Sequence, residues 1–203
     1  MSTYAPTLDF DTQLMLRAQN NDDASFGMLV ERHRTSLVQH LSRLVQNPAV
    51  AEELAQDVFL RVHRSREKWE PSAKFSTWLF RISTNVAYNH FRDEKYHNRN
   101  ISLDREVPNS RKREFSDGRQ GVEKSLVDDV RTAEIRAAIA ALPFKQRSAV
   151  LMHKYEEMDY AQIAAVLGCT PSAVKALMFR AYESLRAQLA HFSGCGSGRP
   201  KSS

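Results

Sequence analysis

Apolar residues recur at three- and four-residue intervals along almost the whole chain, and no stretch alternates with the two-residue period of a half-buried strand. The pattern predicts an all-α protein: two small helical domains joined by a flexible linker, with a helix-turn-helix in the C-terminal one. The first domain spans residues 11–96. Leu14, Met15 and Ala18 mark its first helix. The polar cluster at 20–23 stops that helix and caps a second, which carries Phe26, Leu29, Val30 and Leu37 and continues through Leu41 and Leu44 to Asn47-Pro48. A third helix starts near Ala49 with Leu54, Ala55, Val58 and Val62 on one stripe. Pro71 makes residues 64–74 a loop, and a fourth helix covers 76–95.

Residues 97–129 form the linker. Pro108, Asn109, Ser110, Arg111, Lys112 and Arg113 are followed by Ser116, Asp117, Gly118 and Gly121. Such a composition buries too little apolar area to offset the entropy of ordering. A plain tether is its simplest role, with transient DNA contact the alternative. The second domain spans 130–192. Ile135, Ala138, Ile139 and Leu142 define one apolar face, and Pro143 closes that helix and opens the next at its first position, with Val150, Leu151 and Tyr155. The tail, 193–203, is expected to be disordered.

The densest local signal lies at 159–186. Asp159 and Gln162 have capping-box spacing ahead of Ile163, Ala164, Val166 and Leu167. Gly168 then suits a left-handed turn, Thr170 caps a second helix, and Pro171 occupies its first position. Val174 and Leu177 are expected to face inward. A small residue at the close approach, a turn-former and an apolar anchor are what a helix-turn-helix needs to project its second helix into a major groove. Lys175 and Arg180 have the chemistry to reach phosphates or guanine edges, and Ser172 and Ala173 to offer backbone amides. Simple solvation is as good a reading for each of these. Phe179 fits either a core position or a contact to a thymine methyl.

Composition narrows the setting. The chain of 203 residues has 29 Lys and Arg against 24 Asp and Glu, a net charge of +5 that permits a polyanionic partner without requiring one. Two cysteines, Cys169 and Cys195, make no disulfide framework, which suits a reducing cytoplasm. No signal peptide and no membrane span are visible. The seven histidines are scattered, and P-loop, HExxH and nucleophile-elbow patterns are absent, so no catalytic residue, metal site or cofactor is expected. On the third helix Glu53, Asp57 and Arg61 form a charged stripe beside the apolar one; a solvated face is an equal reading. On the fourth, Arg81, Asn85 and Arg92 share a face with Asn89 at its apolar edge, beside Trp78, Leu79, Ile82 and Val86.

A helix-turn-helix alone would equally suit a stand-alone repressor. The stretch 51–62, AEELAQDVFLRV, followed by 74–89, KFSTWLFRISTNVAYN, resembles the second conserved region of extracytoplasmic-function (ECF) sigma factors of the sigma-70 family. Residues 141–185 are similar to their fourth region, and the likeness covers about 14–189 apart from the linker. The resemblance implies a non-enzymatic factor that directs core RNA polymerase to promoters and aids their melting. It implies that Glu53, Gln56 and Asp57 dock on the clamp helices of the largest polymerase subunit. It implies −10 contacts from Arg61, Lys68, Trp69, Lys74, Arg81, Asn85, Asn89 and Arg92, with one base flipped out of the single strand. It implies −35 duplex contacts from Thr170, Ser172, Ala173, Lys175, Ala176, Phe179 and Arg180. It also implies an anti-sigma factor as a further partner, and a linker threading the polymerase channels. Leu177 stands where the family often has a basic residue and Ala176 where it often has serine.

Overall fold

The computed structural model describes the backbone of residues 9–101 and 124–190, and side chains within 9–94 and 131–190. Among the described residues there are eight α-helices and no strand. They are α1 (Phe10–Gln19), α2 (Asp23–Val45), α3 (Pro48–Ser65), α4 (Phe75–Ile101), α5 (Lys124–Ala141), α6 (Phe144–Tyr155), α7 (Tyr160–Leu167) and α8 (Pro171–Gln188).

Local chemistry sets most of these limits. The Asp9 carboxylate accepts from the Thr12 N–H at 2.8 Å to open α1, and Asp22 accepts from Ser25 N–H at 3.0 Å to open α2. The Ser25 hydroxyl donates to the same carboxylate at 2.7 Å, and that bond, with the one from the Ser25 N–H, holds the Asp22 carboxyl below its ordinary range. Asn47 caps α3 through Ala49 N–H at 3.1 Å, with Pro48 at the first position, where a missing N–H costs nothing. Four expectations need correcting. α3 runs on to Ser65 and passes into a 3-10 turn, Arg66–Lys68, so the loop before α4 is shorter than 64–74. Helix also invades both ends of the expected linker, since α4 reaches Ile101 and α5 begins at Lys124; the remainder of that segment and the tail lie outside the described residues. Pro143 is the cap before α6 rather than its first residue. Ile135, expected on the buried face of α5, is 42% exposed, while Ala138 and Leu142 are buried.

α1–α4 enclose one core, built on Leu14 and Met15, on Leu29, Leu37, Leu41 and Leu44 of α2, and on Val58, Val62 and Leu79. α5–α8 enclose a second, built on Leu142, Met152, Ile163, Val174 and Met178. The two helical units are packed against each other. α6 lies on α2, and α7 on α4. Leu151 of α6 is buried in the first core, and Phe80 of α4 in the second.

This seam buries His40 completely. Its ring meets Phe80 edge-on at 4.9 Å, and Nδ1 lies 3.8 Å from Glu156 Oε1. Desolvation, helped by Arg43, lowers the imidazole pKa to about 4. The folded chain therefore resists a proton that the unfolded chain accepts near the ordinary value of 6.5. The sign follows: stability contributed by neutral His40 is present above about 6.5 and is lost as pH falls toward 4. Glu156 acts oppositely, because burial raises its pKa against the pull of Arg43. Its effect is confined to pH nearer the carboxylate range. The urea midpoint is expected to fall between pH 7 and pH 5, and that fall to vanish in His40→Gln; a flat wild-type profile would refute the assignment.

Candidate nucleic-acid interface

α7 and α8 form the helix-turn-helix. The Asp159 carboxylate accepts from Gln162 N–H at 2.8 Å, and the Gln162 side chain accepts from Asp159 N–H at 3.0 Å, closing the capping box. Gly168 ends α7 at φ +62°, in the left-handed region. Thr170 Oγ1 accepts from Ala173 N–H at 3.2 Å and starts α8. The axis turns by 97° between the two helices, within the range of this motif. Nothing lies within 4 Å of a Cβ built on Gly168, so only backbone strain opposes substitution there. Gly168→Ala is expected to cost about 1 kcal/mol in urea unfolding.

The second helix is anchored by Val174, Met178 and Ala181. Met178 replaces Leu177 as the inner anchor; Leu177 is only half-buried, because the three-four spacing from Val174 falls on 178 in this packing. Thr170, Ser172, Lys175, Ala176, Phe179 and Arg180 are exposed, and Ala173 is half-buried. Phe179 is 67% exposed, so it is no core residue. Thr170 already spends its hydroxyl on the cap. Cys169 is a free, half-buried thiol at the turn.

α4 places Arg81, Asn85 and Arg92 on the surface and Asn89 half-buried beside them, at spacings of four, four and three. The opposite side of the helix holds Leu79, Val86 and Ala87 in the first core. The four polar side chains thus form one open strip on a rigid helix. Lys68 and Lys74 are exposed at either end of the preceding loop. Trp69 is a correction. Its indole was expected to offer an aromatic face to single-stranded DNA, yet it is 5% exposed and packs near Trp78, with ring centres 6.1 Å apart. A large aromatic next to an apolar core gains more from burial than a surface position offers. Gln19 of α1 secures this loop by donating to the carbonyls of Arg66 and Trp69, at 2.9 and 2.6 Å. Sequence periodicity gave no signal for Gln19, since its partners lie some fifty residues away.

On α3, Glu53 and Gln56 are exposed and Asp57 is half-exposed, bridged to Arg61 at 2.9 Å. Arg34 of α2 meets Glu52 at 3.2 Å. Between these helices runs an apolar groove lined by Phe26, Val30, Phe59 and Leu60, with Gln56 at its edge. Leu60 is 53% exposed, and the charge pattern of α3 gave no reason to single it out. Among the described residues no group of three metal-ligating side chains is gathered, and no single helix is long and apolar enough to cross a membrane.

Comparison with known proteins accounts for both units. Residues 29–96 match the family model for sigma-70 region 2, and residues 132–185 that for sigma-70 region 4. The RNA polymerase sigma factor CarQ of Myxococcus xanthus is 32% identical over 85% of this chain and 93% of its own length. The ECF RNA polymerase sigma factor SigW of Bacillus subtilis is 28% identical over 85% of this chain and 93% of its own. Among solved structures, the sigma factor RpoE of Bartonella quintana, in complex with the anti-sigma factor NepR, shares the fold. Its TM-score is 0.63 at 19% identity, covering 81% of this chain and 96% of that one. The paired helical units, in this order, with these matches, make the chain a member of the ECF sigma factors, the non-enzymatic proteins that direct RNA polymerase to promoters in transcription initiation.

Proposed function

We propose that the two units divide the promoter between them, α8 reading the −35 duplex and α4 capturing the −10 element as single strand. The observation that carries this reading is the pair of open polar strips, each on a rigid helix whose other side is locked in a core. Lys175, Phe179 and Arg180, with Ser172, Ala173 and Ala176 at the helix start, suit a major groove. Thr170 serves that helix through its cap. Arg81, Asn85, Asn89 and Arg92 suit unpaired bases and their phosphates, with Lys68, Lys74 and Arg61 adding positive charge around them. Trp69 supports the loop from beneath. Capture of single strand biases melting because duplex lacks those contacts.

Glu53, Gln56 and Asp57 dock the chain on the largest polymerase subunit, and the adjoining groove at Phe59 and Leu60 gives that docking an apolar centre within a charged rim. The anti-sigma factor NepR bound to the Bartonella sigma factor supports an inhibitor of that kind here, and the setting is the cytoplasm, where polymerase works. Residues 102–123 serve as a tether between the units.

Lys175→Ala is expected to weaken binding of a −35 duplex severalfold and to lower the slope of log affinity against log salt by about 1. Salt titration by fluorescence anisotropy measures both, and an unchanged slope would remove Lys175 from the phosphate contacts. Run-off transcription with core polymerase on a promoter library tests the whole reading. No added transcription over polymerase alone would end it.

A further inference from the structure

Residues 70–74 form an exposed arch between two buried aromatic feet. Trp69 and Phe75 are 5% and 1% exposed, and both lie against Trp78, with ring centres 6.1 and 6.0 Å away. Phe75 also meets the His33 ring at 5.2 Å. Within the arch the Ser72 N–H donates to the Glu70 carbonyl at 2.8 Å. So short a bond does little to orient the whole segment, and the position of the arch is set at its feet.

The far foot is the start of α4. The Lys74 carbonyl accepts from the Trp78 N–H at 3.3 Å and opens the helix. Lys74 lies seven residues before Arg81, close to two helical turns, so it heads the open strip of α4. The near foot is the 3-10 turn Arg66–Lys68, a single turn of a kind with poor hydrogen-bond geometry. The Trp69 N–H closes it on the Arg66 carbonyl at 3.2 Å, and the chain leaves with Trp69 extended, at φ −75° and ψ 134°.

Gln19 of α1 joins both ends of this turn. Its Nε2 donates to the Arg66 carbonyl at 2.9 Å and to the Trp69 carbonyl at 2.6 Å, which uses the two N–H groups of one amide. Water could satisfy the two carbonyls singly; one amide bridging them also fixes their separation. The tie is returned two residues on, where Arg66 Nη2 donates to Asn21 Oδ1 at 3.0 Å. α1 is a firm base for it, since Leu14, Met15 and Ala18 are buried. This support comes from outside residues 29–96, the stretch matched to sigma-70 region 2.

We propose that Gln19 is a positioning residue for −10 recognition: by bridging the 3-10 turn it pre-sets the arch, so that Lys68 and Lys74 already stand beside the α4 strip when single-stranded DNA arrives. This rests on the division of the promoter given above. Gln19 acts through the arch and itself touches no DNA. Without the bridge the arch is ordered only on binding, and the lost entropy is subtracted from affinity.

The test uses the full chain with Gln19→Met, which keeps the reach of the side chain and removes its donors. The two tryptophans of the chain, Trp69 and Trp78, both lie at this place. Acrylamide quenching of the free protein therefore reports on the near foot, and it is expected to rise. The second readout is the affinity of the holoenzyme for a −10 non-template oligonucleotide from a promoter selected in the run-off library. It is expected to fall about fivefold, the cost of ordering a single residue. Affinity for core polymerase, and of the free chain for a −35 duplex, is expected to stay unchanged. Gln19→Met added to Lys74→Ala is expected to weaken −10 binding little beyond Lys74→Ala alone, because both act through one contact. A general structural role would move all three affinities together and leave the pair additive.

Asn21→Gly is the second variant should Gln19→Met lose its helical circular dichroism. Asn21 has φ 62°, which glycine adopts without strain, so this change removes only the acceptor of Arg66. Unmoved quenching in a folded variant overturns the proposal. So does wild-type −10 affinity once quenching has risen, an equal loss of polymerase affinity, or an additive pair. A wild-type holoenzyme that holds the −10 strand no better than a scrambled one strikes the promoter reading instead, and quenching in Gln19→Met still decides whether Gln19 pins the arch.

Discussion

Asn85→Ala is expected to reduce open-complex formation about tenfold while leaving affinity for core polymerase unchanged. Asn85 sits at the centre of the exposed α4 strip, between Arg81 and Asn89, and its helix is held from behind by Val86 and Ala87. The side chain is solvent-exposed, so removing it opens no cavity and leaves no buried group unpaired. A loss of open complex with folding and polymerase affinity intact is therefore expected to be a loss of contact to DNA. An amide that pairs with a base edge contributes about 1–3 kcal/mol, and a factor of ten lies within that range. Permanganate footprinting of the −10 region, with a polymerase pull-down in parallel, separates the two effects. A matching fall in polymerase affinity would assign Asn85 to docking or folding rather than to melting.

Leu41→Ala is expected to destabilise the chain by about 3 kcal/mol, the largest stability effect of any substitution considered. Leu41 is fully buried on α2, in line with Leu37 and Leu44, and every other helix of the first unit packs around that spine. Truncation removes three buried carbons and leaves a cavity that rigid helices on all sides cannot close; comparable sites lose about 2–5 kcal/mol. For a chain of this size that corresponds to a fall in Tm of about 6–12 °C. Thermal denaturation followed by circular dichroism reads it directly. A loss below 1 kcal/mol would mean that α2 repacks and that the core is looser than its burial implies. The −35 helix is a useful control, since Lys175→Ala on the exposed face of α8 is expected to leave Tm within about 1 °C.

Helices and their ends were legible from residue order because the forces that set them act over a few positions. Asp159 and Gln162 close a capping box across three residues, Gly168 relieves a clash with its own backbone, and Asn47-Pro48 starts α3 through N–H groups two and three residues on. The exposed strips on α4 and α8 were legible for the same reason, since helical period alone decides which side chains share a face. Even there, choosing between Leu177 and Met178 as the inner anchor depended on where α6 and α7 lie, and only packing settles that.

What neighbours in sequence do not determine is which surfaces meet. Trp69 carries the same residues beside it whether it stacks on DNA or fills a core; its burial comes from Trp78 and from Gln19 on another helix. Nothing in the residues around Arg147 marks it off from an exposed cation of α6; it is a buried donor to the Leu44 carbonyl because the two units meet there. His40, Phe80 and Phe144 acquire their surroundings by the same event. Such contacts join residues up to about a hundred positions apart, where apolar area and hydrogen-bond geometry are decided by the docking of whole helices. The order of residues determined the helices and the faces they offer; the tertiary structure decided which of those faces remain open to DNA and polymerase and which the chain covers with itself.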